Sequence, residues 1–217
     1  MQVSDLVYDV RPDVPGAPDF VIKDAIRKAA VDFFYESQCW MEPLDPIPLV
    51  SGTYRYDLLL PTDAILLRLY SDGRYSGVKI GRCDLRVVPD WQLFDITTNS
   101  VDVGEPRCCA IVSTDDSIIV HPTPGASEAG KSLSVFAVLG VVREVETIND
   151  TIGARWRAAI ISGAKAKLMN TAGKAWSNPL QGAMEAAEYR RKMTSARTEG
   201  HTGRYAGPRM VQFRPLA

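Results

Sequence analysis

Apolar side chains recur with two different spacings along the chain, and the spacing predicts which segments are helical. Residues 19–38 place apolar side chains every three or four positions, with charged side chains on the opposite face. These apolar positions are Val21, Ile22, Ala25, Ile26, Ala29, Ala30, Phe33 and Phe34. The pattern predicts an amphipathic helix that Asp19 caps and that ends before the proline-rich residues 43–48.

Residues 53–146 instead alternate apolar and polar side chains and contain frequent turn residues. Asp72-Gly73 and Asp115-Asp116 each separate two apolar runs, which predicts two β hairpins. The paired runs are residues 65–70 with 75–80, and residues 108–113 with 118–121. A final strand is expected at residues 133–142. About five to seven short antiparallel strands of this kind predict a small β sandwich or a partly open barrel.

The helical spacing then returns in two further segments. Asn149 or Asp150 is placed to cap the first helix, which ends near residues 170–173. Asn178, followed by proline at the first helical position, opens a second helix that extends to about Glu199. Because the link between the two helices is short, we expect an antiparallel helical hairpin.

The order of these elements predicts an α+β fold in which helices flank the β region. We divide the chain into 1–52, an N-terminal arm and helix belonging to a helical layer; 53–147, the β domain; 148–199, the helical hairpin packing on the N-terminal helix; and 200–217, an extended C-terminal tail. The tail is rich in glycine and proline and too poor in apolar residues to fold alone.

Composition narrows the class of protein. Of the 217 residues, 46% are hydrophobic and 24% charged, which is typical of a globular protein with a substantial core. No run approaches the roughly 18 apolar residues that cross a bilayer, and residues 1–11 lack the apolar stretch of a signal peptide. We therefore expect the protein to stay in the cytoplasm where it is made. The four cysteines lack C-x-x-C spacing, and we interpret them as reduced, mostly buried thiols.

The net charge of −1 conceals a division along the chain. Residues 1–153 contain 13 Lys or Arg and 23 Asp or Glu, a balance of 13 − 23 = −10, whereas residues 154–217 contain 12 and 3, a balance of 12 − 3 = +9. A basic segment of this kind indicates an acidic partner, either nucleic acid or a neighbouring protein surface. Alternatively, the two parts attract each other within one subunit, or head to tail between subunits.

Two groups of residues carry a resemblance to a known family. The first is the N-terminal helix with an aromatic end, residues 25–34, leading to Cys39-Trp40. The second is Trp156-Arg157-Ala158-Ala159-Ile160, then Ser162-Gly163-Ala164, Lys167-Leu168-Met169, Gly173-Lys174-Ala175-Trp176-Ser177-Asn178-Pro179, Ala183 and Tyr189. With this element order, the chain resembles the head-to-tail adaptor proteins of tailed bacteriophages, which include tail tubular protein A and the head-completion connector proteins. The β region carries no diagnostic motif of that family.

The resemblance implies a structural virion protein and not an enzyme, with no cofactor or metal. In that family the helices pack side by side in a ring of twelve subunits beneath the portal, in the neck between capsid and tail. The implied partners are the portal protein, copies of the chain itself, a downstream tail or nozzle protein, and DNA that passes through the channel without specific binding; no membrane is implied.

Two sets of residues are expected to make these contacts. Ring contacts between subunits are expected at Trp40, Trp156, Trp176, Arg190 and Arg191, although each tryptophan could instead pack inside its own subunit. The glycine-rich basic tail is suited to becoming ordered on a partner, because aromatic and arginine anchors carry most of the energy of such contacts. The residues expected to dock on the portal are Arg204, Tyr205, Arg209, Phe213 and Arg214.

Two other features of the sequence could indicate catalytic or phosphate-binding chemistry. His121 could act as a general base with Asp115 or Asp116, but no nucleophile motif accompanies it, and the two carboxylates are typical of a solvated turn. Gly130-Lys131-Ser132 resembles the end of a P-loop but precedes a predicted strand where a helix is required.

Two other structural or binding roles stay open besides the adaptor. One is another neck, tail-tube or nozzle component of the virion. The other is a sequence-independent nucleic-acid-binding module that uses the basic helices.

Overall fold

The protein has an α+β fold, as predicted. The computed structural model describes residues 1–71, 76–89, 102–112 and 116–202, and it is 40% helical and 28% strand. The helices are α1 (Val3–Val10), α2 (Asp19–Ser37), α3 (Asp150–Met169) and α4 (Pro179–Thr202), with a short 3-10 helix, Arg11–Asp13, after α1.

Helix α1 lies in the segment that the sequence analysis described as an N-terminal arm. Its buried side chains are Val3, Leu6, Val7 and Val10, which follow a helical spacing. An eight-residue helix is too short to be stable alone, so its stability depends on packing. The backbone N–H of Val3 donates to Glu146 O at 3.0 Å, which holds the start of α1 beside the end of the β region.

Helix α2 confirms the predicted amphipathic helix, but the predicted cap is wrong. Pro18 is the N-cap residue, and its carbonyl accepts hydrogen bonds from Val21 N at 2.9 Å and Ile22 N at 3.1 Å. Asp19 is the first helical residue, and its carboxylate pairs with Arg11 instead of capping the helix. The left-handed conformation of Gln38, at φ 50°, ends α2 before the prolines.

Strand β12 organises the main sheet. The strands are β1 (Trp40–Pro43), β2 (Ile47–Pro48), β3 (Arg55–Asp57), β4 (Ala64–Leu69), β5 (Val78–Ile80), β6 (Cys83–Asp84), β7 (Arg86–Val87), β8 (Val103–Gly104), β9 (Cys108–Val112), β10 (Ser117–His121), β11 (Thr123–Pro124) and β12 (Ser132–Val141). Strands β1 and β2 pair in turn with one edge of β12, and β4 and β5 with the other. The sheet therefore uses residues before position 53, where the sequence analysis began its β region.

The first predicted hairpin is wrong. Strands β4 and β5 do not pair with each other but follow one another along β12, and an isolated antiparallel bridge joins Ser71 to Ser76 between them. The N–H of Gly77 donates to Tyr70 O at 2.8 Å, where the chain rejoins the sheet. A Cβ at Gly77 would lie 2.8 Å from Phe136 O, so this closure needs glycine. The predicted turn, Asp72-Gly73, lies outside the described residues.

The second predicted hairpin is confirmed. Strands β9 and β10 pair antiparallel, with Ser117 opposite Val112 and His121 opposite Cys108. Strand β3 pairs with the other edge of β10. Two short pairs, β7 with β9 and β8 with β11, are parallel. The prediction of an antiparallel β region therefore does not hold for these two pairs.

Helices α3 and α4 form the predicted antiparallel hairpin, with both predicted caps. The side chain of Asn149 accepts from Thr151 N at 3.1 Å, and that of Asn178 accepts from Gln181 N at 3.2 Å. Helix α4 continues to Thr202, slightly beyond the predicted end near Glu199.

Helix α2 lies between β12 and the α3–α4 hairpin, and one buried cluster joins these layers. Representative members, all at most 1% exposed, are Phe33 and Phe34 of α2, Trp40 of β1, Leu139 of β12 and Ile160 of α3. The helical layer is therefore tied to the main sheet through α2.

The four cysteines are unpaired thiols, but the prediction that they are mostly buried is wrong. Cys109 is buried, Cys39 and Cys108 are partly buried, and Cys83 is exposed. Cys108 and Cys109 alternate along β9, so their side chains point to opposite faces of the sheet.

Candidate subunit interface

Three helices meet at Gly163. A Cβ at this position would lie 2.6 Å from Cε2 of Tyr189 on α4 and 3.0 Å from Cβ of Ala29 on α2. Glycine therefore allows α3 to approach both neighbours more closely than any other residue would. The short segment Ser162-Gly163-Ala164, which contributed to the resemblance, is buried between the helices.

Tyr189 joins α4 to α2 at the same place. Its hydroxyl donates to Ala29 O at 2.8 Å, and its ring lies 6.1 Å from that of Phe33. Burial raises the pKa of Tyr189, and the negative charges of Asp32 and Glu36 raise it further. The neutral hydroxyl is therefore a stable donor in the helical layer.

Trp40, expected at the ring contact, packs inside its own chain. Trp40 is only 1% exposed, and its ring lies 5.9 Å from that of Phe34. The indole N–H donates to Glu42 Oε2 at 2.9 Å. Trp40 thus offers no surface to a neighbour in this conformation.

Trp156 and Trp176 are both partly buried. The ring of Trp156 lies 5.6 Å from that of Phe33, and the Arg155 guanidinium lies 5.6 Å from the centre of the Trp156 ring. The indole N–H of Trp176, in the link between α3 and α4, is buried without an acceptor among the described residues. Each of these two tryptophans leaves part of its side chain available to another subunit.

Arg190 and Arg191 are exposed on α4, where the sequence analysis expected a ring contact. Arg191 donates two hydrogen bonds of 2.8 Å to Glu188, and Lys192 lies 3.3 Å from the same carboxylate. Hydrogen bonding to Arg191 lowers the pKa of Glu188 to about 2. Arg190 donates to Ala186 O at 3.3 Å and pairs with no acidic side chain in the described part of the chain.

The predicted portal-docking residues lie outside the described residues. They are Arg204, Tyr205, Arg209, Phe213 and Arg214. Their role as a docking element therefore stays a prediction.

Part of the charge division along the sequence is used inside the fold. Three basic residues of α3 pair with acidic residues of the N-terminal helices. The pairs are Arg157 with Asp9 at 2.6 Å, Lys167 with Asp32 at 2.6 Å, and Lys165 with Asp13. These pairs support the alternative that the acidic and basic parts attract each other within one subunit, and they reduce the positive charge that α3 can offer to a partner.

Large apolar side chains are exposed on the helical layer. Phe20 and Tyr35 on α2 are 74% and 63% exposed, and Leu180 and Met184 on α4 are 80% and 62% exposed. Scattered exposed apolar residues are ordinary, but clusters on helix faces are typical of protein contacts. These four residues were not among the predicted interface residues, although the i, i+4 spacing of Leu180 and Met184 places both on one face of α4.

The candidate catalytic histidine, His121, is not placed for acid–base chemistry with Asp116. His121 and Asp116 flank opposite ends of β10, about 16 Å apart at roughly 3.3 Å per residue. Asp115 lies outside the described residues. His121 is 8% exposed.

The loop before β12 has P-loop spacing without P-loop structure. Gly125, Gly130, Lys131 and Ser132 match G-x-x-x-x-G-K-S in full, a match that the sequence analysis did not register. The loop nevertheless connects β11 to a strand, and not to a helix whose N-terminus could bind phosphate. Gly130 N donates to Leu49 O at 2.9 Å, and Lys131 Nζ contacts the buried Glu128 carboxylate at 2.7 Å. The groups that would hold a phosphate are therefore already bonded within the protein.

Two further properties limit the chemistry of the described residues. Burial raises the pKa of Cys39 to about 11 and that of Cys109 to about 12, so neither thiol is activated as a nucleophile. Within residues 1–71, 76–89, 102–112 and 116–202, no group of three or more His, Cys, Asp or Glu side chains could hold a metal ion. No helix in the same ranges is long and apolar enough to cross a membrane.

Comparison with protein-family models finds no family that matches the chain, and a search of curated proteins finds no significant relative.

Proposed function

We propose that the protein is a structural component of a bacteriophage virion, a head-to-tail adaptor whose copies form a ring beneath the portal and join it to the tail. The observation that carries the proposal is the helical layer with exposed apolar side chains on two different helices, Phe20 and Tyr35 on α2 and Leu180 and Met184 on α4. A subunit of a closed ring needs two different, complementary faces, because each copy contacts its neighbours through a heterologous interface.

The order of elements supports the same proposal. The segments that carry the resemblance fold into one layer, in which α3 and α4 pack with α2. Gly163 and Tyr189, both part of the resemblance, lie in close contact in that layer. These residues serve helix packing and do not form a reaction centre, which favours a structural role over an enzymatic one.

The nucleic-acid-binding alternative is less well supported. Three cations of α3 are paired with acidic residues of the same chain, and Arg191 and Lys192 share Glu188. Binding to a phosphate backbone depends on cations that are free to replace counterions. A different neck or tail component would use the same exposed helix faces and is distinguished by its partner.

The test is association with the portal protein encoded in the same genome. The two proteins are co-expressed, purified through a tag on the portal, and imaged by electron microscopy. The expected result is a ring of this protein on one end of the portal ring. Recovery of the portal without this protein, in repeated pull-downs at low salt, would contradict the proposal. Binding to a tail or nozzle protein alone would instead assign the protein to a lower position in the virion.

A further inference from the structure

The two sides of β12 carry strands whose outer edges differ in composition. On one side, β1 and β2 contain Pro43 and Pro48, and proline lacks the N–H that a further strand would bind. On the other side, β4 has six residues, of which five are apolar and one is Arg68. Among the described residues, β4 pairs with β12 alone. Alternate N–H and C=O groups of β4 therefore point away from β12, towards an edge that we call the open edge of β4.

An apolar groove lies beside the open edge of β4. It has a volume of about 460 Å³, and it is lined by β4 on one side and by the β7 and β9 region of the other sheet on the opposite side. Pockets that bind small ligands have about 300–1,000 Å³, so the groove is large enough for side chains of a peptide. Most of its apolar lining comes from Leu66, Leu67, Leu69, Val87, Ile111 and Val112.

The C-terminal end of α4 lies close to this groove. A Cβ at Gly200 would lie 3.4 Å from Cε of Met41 on β1. Met41, Val138 and Arg68 are register partners across β1, β12 and β4. At about 4.8 Å between neighbouring strands, the backbones at Met41 and Arg68 are about 10 Å apart. The chain that follows α4 therefore begins near the open edge of β4.

The sequence after α4 has the pattern of a short strand within reach of that edge. Its apolar run is Met210-Val211-Gln212-Phe213, between Pro208 and Pro215. In an extended strand, Val211 and Phe213 point to the same face. The seven residues 203–209 can span up to about 23 Å, which exceeds the separation from β4.

The charges of the groove and of the tail are also compatible. Residues 203–217 contain three arginines and no acidic residue. Asp116 lies along the groove, and its carboxylate makes no ion pair in the described part of the chain. Arg68, the other charged side chain of the groove, donates to Gln38 Oε1 at 2.8 Å. The groove therefore offers a free carboxylate to a basic segment.

We propose that, in the free chain, residues 210–213 add to the open edge of β4 as a further strand and place Val211 and Phe213 in the groove of the same molecule. Hydrogen bonds to the outward N–H and C=O groups of β4 hold the segment, and burial of the two apolar side chains sets its register. The short link from α4 gives the segment a high effective concentration at this groove, which favours it over a second copy.

The proposal does not rest on the proposed ring, because it concerns a single chain. Only one consequence depends on the proposed function. Phe213 and Arg214 are expected to dock on the portal, so the segment would have to leave β4 before that contact forms.

The test is disulfide formation within the full-length chain, in a Cys83→Ser background that removes the exposed native thiol. Leu67→Cys places one thiol in the groove, and Val211→Cys places the other in the tail. The protein is oxidised at low concentration, and the monomer is analysed by mass spectrometry without reduction.

The control pair is Val50→Cys with Val211→Cys. Val50 is 54% exposed and follows Leu49, whose N–H donates to Lys131 O at 2.9 Å before the start of β12. Lys131 is about 23 Å along the chain from Val138, and the nine residues 203–211 can span about 30 Å, so the control site is also within reach. We expect the groove pair to form its disulfide about tenfold faster than the control pair.

Two outcomes would overturn the proposal. Equal rates for the two pairs would mean that the tail has no preferred position on the surface. Disulfides that form mainly between chains would mean that the groove holds the tail of another copy. Neither outcome bears on association with the portal, which is tested separately.

Hydrogen exchange tests the same contact without cysteines. Phe213→Asp puts a charge into the apolar groove and should raise the exchange rates of the outward amides of β4 about tenfold. Leu216→Asp, which lies beyond Pro215, is the matched control and should leave these rates unchanged. Equally slow exchange in the wild type and Phe213→Asp would mean that another segment or a second copy covers the edge. Equally fast exchange would mean that the edge is open, and either result would contradict the proposal.

Discussion

The Tyr189 hydroxyl donates a hydrogen bond of 2.8 Å to the backbone carbonyl of Ala29, across 160 residues of sequence. This bond links α4 to α2 at the level where Gly163 of α3 meets both helices. The most exposed helix of the layer is thus fixed to the helix that contacts the main sheet. The stability of the helical layer should therefore depend on Tyr189 more than on any exposed tyrosine.

Removal of this hydroxyl should destabilise the protein measurably. Tyr189→Phe keeps the partly buried ring but removes the donor, and a neutral hydrogen bond of this kind contributes about 1 kcal/mol. We expect the free energy of unfolding, measured by urea denaturation at pH 7, to fall by that amount. Tyr8→Phe, at a residue that is 70% exposed, is the matched control and should leave the midpoint unchanged. Equal midpoints for both variants and the wild type would contradict the assigned role.

The same tyrosine predicts a pH dependence of stability. Burial raises the pKa of Tyr189 above its ordinary value near 10, so the folded protein holds this proton more tightly than the unfolded chain. The stability that the neutral tyrosine contributes is fully present below pH 10 and is lost as the pH rises towards the pKa of Tyr189 in the folded protein.

The difference in stability between the wild type and Tyr189→Phe isolates this titration from that of other groups. It should decrease by about 1.4 kcal/mol per pH unit above pH 10. Denaturation curves of both proteins at pH 8, 10 and 11 measure it. A difference that stays constant between pH 8 and 11 would exclude a raised pKa.

The close approach at Gly163 predicts an unusual effect of alanine in a helix. Gly→Ala in a helix interior ordinarily stabilises a protein by about 1 kcal/mol. At Gly163 the new methyl group would overlap the partly buried Tyr189 ring, so we expect a net loss of about 1–3 kcal/mol in the free energy of unfolding. The measurement is thermal or urea unfolding.

Gly182 provides the matched control for that substitution. It also lies in a helix, but the three atoms nearest to a Cβ there all belong to the side chain of Asn170, with Oδ1 at 2.6 Å, and this side chain can rotate away. Gly182→Ala should therefore be neutral or stabilising. Similar losses at both glycines would indicate that the Tyr189 ring is not the cause.

Local sequence patterns identified the long helices and the caps of α3 and α4, but not the cap of α2 or the pairing of every strand. Apolar side chains recur at helical spacing through the nineteen residues of α2, and a segment of this length makes the spacing distinctive. The eight residues of α1 provide only two turns. Strands β4 and β5 look like a hairpin because a turn dipeptide separates two apolar runs, whereas their partner, β12, begins about fifty residues later in the sequence. Such long-range pairing leaves no local signal.

The candidate interface was only partly predictable for a related reason. Sequence spacing places Arg190 and Arg191 on α4, and the structure leaves both exposed. Tryptophan is a residue type that is common at interfaces, but Trp40 is buried because β1 brings it against Phe34. Whether a large apolar residue on a helix faces the core or a neighbour depends on the tertiary neighbours of that helix.

Differences in cysteine exposure predict the thiol reactivity of the native protein. Cys83 is exposed, whereas burial raises the pKa of Cys39, Cys108 and Cys109. With a chromogenic disulfide at pH 8, we expect Cys83 to react first, and Cys83→Ser to remove this rapid phase. Cys39, Cys108 and Cys109, which are partly or fully buried, should react only after denaturant is added. Persistence of an equally rapid phase in Cys83→Ser would show that one of the other thiols is accessible.

The ion pairs between α3 and the N-terminal helices predict how salt affects stability. Lys165, whose side chain is 15% exposed, pairs with Asp13 immediately after α1. Asp13→Asn removes this charge from the N-terminal segment, and a partly exposed pair contributes up to about 1 kcal/mol. The loss should be largest at low salt and should shrink at 1 M salt, where the Debye length is about 3 Å.

An exposed acid without a partner on α3 provides the control for this effect. Asp45 is exposed, and Asp45→Asn removes the same charge from the acidic part of the chain. Asp45→Asn should lower the free energy of unfolding, measured by urea denaturation, by less than Asp13→Asn does at every salt concentration. If the two variants lose equal stability with equal salt dependence, the effect comes from net charge alone and not from the pairing of α3 with the N-terminal segment.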